Sequence, residues 1–194
     1  MNSLYEQFLS HFRQGVMKPN KYEIYFSLPA GVNSSFNFVH PVARNGVVRA
    51  KDFLMNSTGS INIKCHTALF PQRTLATAER LQNSSPFRVP YSSNYDPITL
   101  SFYADGTADT RRYFDVWQNI VINVDSNTLN FYDEFTADIF IWNLDDAGRR
   151  TYGIQCIEAY PLVVGASDIS YSNQNNFQNV TVTLNYRRWK SLVL

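Results

Sequence analysis

The sequence predicts a mainly β fold of the α+β class: an antiparallel rolled sheet or β-sandwich-like barrel with one packed central helix and a short N-terminal helix. Several segments alternate apolar and polar residues with the period of two that half-buried strands show. Residues 111–121 repeat their apolar positions with the helical period instead. Aromatic residues make up 15% of the 194 residues, and large rings favour the flat surfaces of sheets.

The first predicted elements are the N-terminal helix and a strand. Helical spacing of apolar residues predicts an amphipathic helix from residue 4 to residue 16, with Asn2 or Ser3 as its cap. Its apolar face covers either the core of its own domain or a neighbouring copy. Residues 21–28 then alternate and predict a half-buried strand, whose inward side chains are Tyr22, Ile24, Phe26 and Leu28.

Two long segments carry little apolar periodicity. Residues 29–60 are rich in Gly, Asn, Ser and Pro, which predicts a long loop with a small hairpin around Asn45-Gly46. A strand is predicted at Ile61, Ile63 and Cys65, which alternate with polar residues. Residues 71–97 are predicted to form an extended, irregular arm. Segments of this length are seldom idle in a compact domain, so we expect them to contact a neighbouring copy, with Leu75, Phe87 and Tyr91 as anchors.

The central helix follows a strand predicted at residues 98–104 and a turn at Asp105-Gly106. Asp109 or Thr110 is placed to cap the helix. Its wide aromatic face should lie flat on a sheet. That face consists of Tyr113, Phe114, Val116, Trp117, Ile120 and Val121.

Two further strands, at residues 135–144 and 150–159, are predicted to form a hairpin around Asp145-Asp146-Ala147-Gly148. Both faces of the first strand are apolar, and a small domain has one core side, so the second face should meet a partner copy through edge strands. A long final strand is predicted at residues 180–187. No internal repeat is visible.

No pattern of catalytic, cofactor-binding or metal-binding residues occurs, so we predict none of these sites and no enzyme activity. His11, His40 and His66 have no metal-ligand spacing, and the Asp145 turn lacks the oxygens of a calcium loop. Cys65 and Cys156 form no CxxC motif, and they are expected to be two reduced, buried thiols or one long-range disulfide.

The charges are nearly balanced, with a formal net charge of +1, so the chain has no overall field that would hold nucleic acid or an anionic membrane. Arginine occurs in pairs at residues 111–112, 149–150 and 187–188. Such pairs suit single-stranded nucleic acid, solvated faces or salt bridges between subunits, and nearby acidic residues favour the last two. Glu6 and Arg13 interrupt the N-terminal apolar pattern, which predicts neither a signal peptide nor membrane insertion.

Seven segments share their order and spacing with a known family. They are KPNKYEI (18–24), CHTALFP (65–71), RTLATAE (73–79), PITLSFY (97–103), RYFDVWQ (112–118), QCIEAYP (155–161) and TVTLNY (181–186). Together they resemble the tail tube protein family of contractile-tailed (myovirus-type) bacteriophages. The stretches 29–60 and 119–133 depart from that pattern and are predicted insertions in a single domain spanning residues 1–194.

The resemblance implies a structural subunit of the virion tail that is assembled in the host cytoplasm. It implies hexameric rings that stack into a tube, with a lumen for DNA and the tape-measure protein. Tail sheath and baseplate proteins are the other implied partners, and the type VI secretion tube shares the fold. We expect a lumen lined by Ser, Thr, Asn and Gln with some Asp or Glu, and arginine pairs outside it. A baseplate or tube-end protein of the same fold, and a small-molecule or glycan-binding β-domain, remain alternatives.

Overall fold

The structure is a computed structural model that describes residues 17–32, 39–42, 46–82, 85–124, 126–167, 169–170 and 177–193. The predicted N-terminal helix at residues 4–16 lies outside the described residues. The helices are α1 (Ala50–Lys64), α2 (Asp109–Val121) and α3 (Tyr132–Phe135), and a 3-10 turn covers Ala30–Val32. The strands are β1 (Tyr22–Phe26), β2 (Val39–Val42), β3 (Gly46–Arg49), β4 (Cys65–Ala68), β5 (Arg73–Gln82), β6 (Ser85–Tyr95), β7 (Ile98–Tyr103), β8 (Ile122–Asn123), β9 (Thr128–Leu129), β10 (Ala137–Leu144), β11 (Arg150–Val164), β12 (Asn179–Asn185) and β13 (Arg188–Val193).

The main sheet is antiparallel and open, with strand order β1-β10-β11-β12-β7-β4 and with β13 paired to β11. The long strand β11 belongs to two half-sheets. Its N-terminal part pairs with β10 and β13 in the first half-sheet, and its C-terminal part pairs with β12 in the second, which continues to β7 and β4. Between these parts Glu158 has a φ of +56°, and its N–H donates to Asp138 Oδ1 at 3.2 Å. This left-handed residue turns one strand from one half-sheet into the other.

The core lies where the two half-sheets face each other against α2. Phe26 of the first half-sheet lies with its ring centroid 6.1 Å from that of Phe102 in the second and 6.1 Å from that of Phe114 in α2. All three side chains are fully buried. The mainly antiparallel, rolled architecture with a packed central helix is therefore confirmed.

Helix α2 buries the aromatic face that its sequence predicts, namely Tyr113, Phe114, Val116, Trp117 and Ile120. The indole Nε1 of Trp117 donates to the backbone oxygen of Phe135 at 2.7 Å. The predicted caps are wrong, because Asp109 and Thr110 lie inside the helix. Instead, Asp105 Oδ1 accepts the N–H of Asp109 at 2.8 Å.

Helix α1 corrects the prediction for residues 29–65. The hairpin near Asn45-Gly46 is present as β2 and β3, but a 15-residue helix replaces the loop that should follow it and the strand expected at residue 61. Leu54, Thr58 and Ile61 are buried at helical spacing, whereas Ile63 is 86% exposed. Between residues 54 and 64, where the side chains are described, this stripe is too narrow to stand out among Asn, Ser, Thr and Gly, so tertiary packing selects the helix. Whether residues 29–60 and 119–133 are insertions stays a prediction.

The hairpin predicted at residues 135–159 is confirmed, but its role as an edge is wrong. Strand β10 lies between β1 and β11, so its backbone is paired on both sides. Its second apolar face is partly covered within the subunit. The ring centroids of Phe140 and Tyr25 lie 6.0 Å apart, and the Arg150 guanidinium lies 5.3 Å above the ring of Trp142.

The predicted final strand ends earlier than residue 187, and a further strand was missed. Strand β12 stops at Asn185, and the chain turns at Tyr186 and Arg187 before β13. Strand β13 returns along β11, where Trp189 pairs with Cys156. The first half-sheet thus gains an edge that the sequence pattern did not indicate.

Candidate assembly surfaces

The most conspicuous surface is a two-stranded ribbon formed by β5 and β6, which we call the arm. Its strands pair with each other from Arg73↔Tyr95 to Gln82↔Ser85 and, among the described residues, join no other sheet. At about 3.3 Å per residue, ten residues make a ribbon of about 33 Å. The predicted irregular arm is therefore a paired hairpin with one register shift between Ala76 and Thr77. Backbone pairing needs no apolar periodicity in a ribbon that is exposed on both faces.

The arm exposes large apolar side chains. Leu75 is 57% exposed, Phe87 42% and Tyr91 71%, and these are the three anchors named from the sequence. Leu81, near the tip, is 77% exposed and was not predicted. A ribbon that exposes four large apolar side chains and, in the part of the chain that the structure describes, joins no other sheet offers an interaction surface.

The base of the arm contacts strand β13 of the first half-sheet and the turn that joins β12 to β13. The Arg73 guanidinium lies 5.4 Å above the ring of Trp189 in β13. Tyr95 packs edge-on against Tyr186 at 6.2 Å, and the Tyr186 hydroxyl donates to the backbone oxygen of Asp96 at 2.8 Å. The ribbon therefore projects from a defined point with a defined direction.

A second surface is an open hollow of about 680 Å³ between α2, the β8–β9 hairpin and β11, which we call the α2–β11 groove. Ile122, Val124 and Leu162 line it and are each about half exposed or more. Gln118 donates from its amide to the backbone oxygen of Leu162 at 3.4 Å, so the polar backbone of this wall is partly satisfied. Asp115 is the charged residue of the lining. No feature of the sequence singled out this groove in advance.

A third surface is the outer face of the second half-sheet, where hydroxyl side chains oppose each other across β7 and β12. The hydroxyl oxygens of Thr99 and Thr183 lie 3.5 Å apart, and those of Ser101 and Thr181 lie 3.4 Å apart. These residues alternate with the buried Leu100, Phe102 and Val182, so they point away from the core. We call this uncharged strip the Ser/Thr face.

A family model described as phage tail tube protein matches residues 17–192. The chain belongs to the phage tail tube protein family. The match includes all three surfaces as well as the two half-sheets and α2, so the recognition made from seven short segments is confirmed. No curated protein matches the sequence significantly.

Solved structures show the same fold at low sequence identity. One match is a chain of the sheath–tube complex of an extracellular contractile injection system, PVC, in the extended state. It has a TM-score of 0.59 and 14% identity, and the match covers 96% of this chain and 97% of that chain. The anti-feeding prophage baseplate matches at 0.58 and 11%, covering 92% and 97%. The tube-terminating cap of that prophage matches at 0.60 and 14%, covering 92% of each chain.

Five of the six paired arginines of this tail tube family member form ion pairs inside the subunit. Arg111 reaches Asp115 at 3.8 Å, Arg112 reaches Asp109 at 3.6 Å and Arg149 reaches Asp145 at 2.8 Å. Arg150 meets Glu23 at 2.9 Å, and Arg187 meets Glu158 at 3.0 Å. The sequence favoured solvated faces or bridges between subunits, and the structure shows carboxylates of the same subunit as partners of these five arginines. Each such pair contributes little to stability.

The cysteines and the described histidine lie among other side chains of the fold. Cys65 and Cys156 are free thiols, and burial raises the pKa of each to about 12, which suppresses the nucleophilic thiolate. The His66 ring lies 4.5 Å from that of Tyr103. His11 and the His40 side chain lie outside the described residues. Among the residues that the structure describes, no cluster of three or more His, Cys, Asp or Glu could hold a metal ion, and no helix is long and apolar enough to span a membrane.

Proposed function

We propose that this protein is the repeating structural subunit of a contractile phage tail tube, with no catalytic role. Six copies close into a ring, rings stack, and the central channel passes DNA. The observation that carries the proposal is the arm, a ribbon that exposes Leu75, Leu81, Phe87 and Tyr91 beyond the core of its own domain. Burying such side chains against another copy removes apolar surface from water and stabilises the assembly.

The Ser/Thr face supports a role in lining the channel. A conduit must release its cargo, and every phosphate that a Lys or Arg neutralises adds a salt-dependent attraction that would slow DNA. Thr99, Ser101, Thr181 and Thr183 carry no charge. The arginines of the three pairs that bind carboxylates in their own subunit are likewise less available to phosphate.

The tail sheath, baseplate and tape-measure proteins are the proposed partners, and the virion tail, assembled in the host cytoplasm, is the proposed location. A tube-end or baseplate subunit of the same fold is the second candidate. It is supported by the structural similarity to a baseplate chain and to a tube cap, whose TM-scores are nearly the same as that of the sheath–tube complex.

Electron microscopy of the purified protein, together with light scattering over a range of concentrations and salts, tests the proposal. Six-fold rings that elongate into tubes support the main tube subunit, and rings that never elongate favour the tube-end candidate. A monomer at every concentration and salt contradicts both. A map of the ring tests the channel lining, because two or more arginine pairs that face the lumen unpaired would overturn it.

A further inference from the structure

The arm has two faces, and its register assigns side chains to each. Residues opposite each other in an antiparallel pair share a face. Glu79 pairs with Arg88 and Leu81 with Pro86, so one face of the tip carries both charged and apolar side chains. Arg80 pairs with Phe87 and Ala78 with Val89, so Phe87 and Val89 lie together on the other face. Phe87 is the large apolar side chain of that face near the tip, and 42% of its surface is exposed.

The α2–β11 groove has the shape and character to receive such a face. Its volume of about 680 Å³ falls in the range of cavities that enclose a compact ligand, so it can hold a few large side chains. Val124 and Leu162 are 76% and 49% exposed, which leaves apolar walls in water. Within the described residues the groove is lined by its own subunit's helix and strand and not by the arm.

From these two surfaces we propose that the α2–β11 groove of one copy is the docking site for the Phe87 face of the arm of another copy. The proposal rests on the proposed self-assembly and names the surface that the arm meets. Phe87 and Val89 enter between Val124 and Leu162. Arg80, opposite Phe87 on the same face, approaches Asp115, the charged residue of the groove lining.

Charge complementarity and geometry both favour the arm as the occupant. The tip region offers Arg80 beside Phe87, whereas the groove offers a carboxylate and no basic side chain in its lining. Asp115 lies 3.8 Å from Arg111, so the incoming Arg80 joins an existing ion pair. The ribbon projects about 33 Å from a base fixed on Trp189 and Tyr186, so its tip is carried away from its own core.

Cross-linking between two different single variants tests this pairing. We would mix the Phe87→Cys protein with the Leu162→Cys protein, allow assembly, and join nearby thiols with a short bismaleimide. The matched control replaces Phe87→Cys by Glu79→Cys, an exposed position on the opposite face of the arm. The unaltered protein reports any background from Cys65 and Cys156. We expect a cross-linked pair containing both variants, and much less of it with Glu79→Cys.

A second variant gives an independent readout. Leu162→Arg places a cation in the groove near the incoming Arg80 and should raise the concentration needed for assembly about tenfold or more, without unfolding the monomer. If the unaltered protein forms rings but no mixed pair exceeds the Glu79→Cys control, this docking is overturned and the proposed function stands. If the unaltered protein never assembles, both are overturned.

Discussion

The core and the arm are built from the same kind of antiparallel strand, yet they differ in what covers them. In the core, β7 buries Ile98, Leu100 and Phe102 against α2 and the opposing half-sheet. In the arm, β5 and β6 are longer than β7 but expose nearly every side chain. Backbone pairing alone is thus enough to shape a ribbon, whereas burial is needed to stabilise one. We infer that the core supplies the stability of the subunit and the arm supplies its contacts with other copies.

The largest expected effect is that of Trp117→Ala in the core. Trp117 is fully buried, contacts Phe26 edge-on at 6.5 Å and donates to Phe135. Truncation leaves a cavity and an unpaired carbonyl oxygen, and should lower the free energy of unfolding by about 3–5 kcal/mol and abolish soluble folding. Expression and urea unfolding measure this. A variant that folded normally and only failed to assemble would assign Trp117 to an interface and break the comparison.

The next effect concerns the second face of the first half-sheet. A methyl group on Gly153 would overlap the ring of Trp142, which is held from above by Arg150. Gly153→Ala should therefore lower the free energy of unfolding by about 1–3 kcal/mol. Gly106→Ala is the matched control, since no atom lies within 4 Å of its new methyl group. Equal unfolding midpoints for the two variants would mean that Trp142 moves aside without cost.

A smaller, pH-dependent effect is expected at the junction of the two long helices. Burial raises the pKa of Asp105, but the hydrogen bond and charge of Lys64 outweigh it, and the net pKa is lowered from 3.8. The carboxylate meets Lys64 at 2.6 Å and the first N–H of α2 at 2.8 Å. Asp105→Asn should cost about 1 kcal/mol at neutral pH.

The pH dependence has a definite sign. Because the pKa is depressed in the folded state, the stabilisation is fully present above the unfolded value and is lost as pH falls through the lower folded value. Urea unfolding at neutral pH and near pH 3 should show the gap between the unaltered protein and Asp105→Asn shrinking in acid. The control Asp109→Asn keeps its N–H bonded to Asp105 and should cost less. A gap that does not change with pH would contradict the assignment to the carboxylate charge.

The smallest effect on stability, and the sharpest test of the comparison, is expected in the arm. Leu81→Ser and Tyr91→Ala change side chains that are 77% and 71% exposed, so the free energy of unfolding of the dilute subunit should change by less than about 0.5 kcal/mol. Assembly, measured by light scattering, should nevertheless weaken. Losses of stability as large as that of Gly153→Ala would show that the arm packs on its own core.

Much of the fold could be predicted because its signals are local. Strands β1 and β7 each bury one face, so buried and more exposed residues alternate along them. The buried positions are Ile24 and Phe26 in β1, and Leu100 and Phe102 in β7. The wide apolar face of α2 is equally visible. Helix α1 escaped prediction because, among its side chains that the structure describes (residues 54–64), Leu54, Thr58 and Ile61 are the buried ones and form a narrow stripe.

The candidate surfaces were harder to predict than the core. Leu75, Phe87 and Tyr91 were predicted to be anchors of a long segment, and the structure places all three, exposed, on the arm. The α2–β11 groove brings Val124 and Leu162 together from positions far apart in the chain. A groove of this kind leaves no periodic trace, since neither wall is complete within one element.

The sequence by itself determined the strands β1, β7, β10, β11 and β12, the buried face of α2, and the family, because these depend on spacing along a few consecutive residues. The tertiary structure alone decided that β10 is an interior strand, that β11 bends at Glu158 to join two half-sheets, and that β13 returns beside it. These outcomes depend on pairings between distant residues, such as Tyr22 with Asn143. The common core that such pairings enclose selects among the partners that each strand could have taken, and no local pattern records that choice.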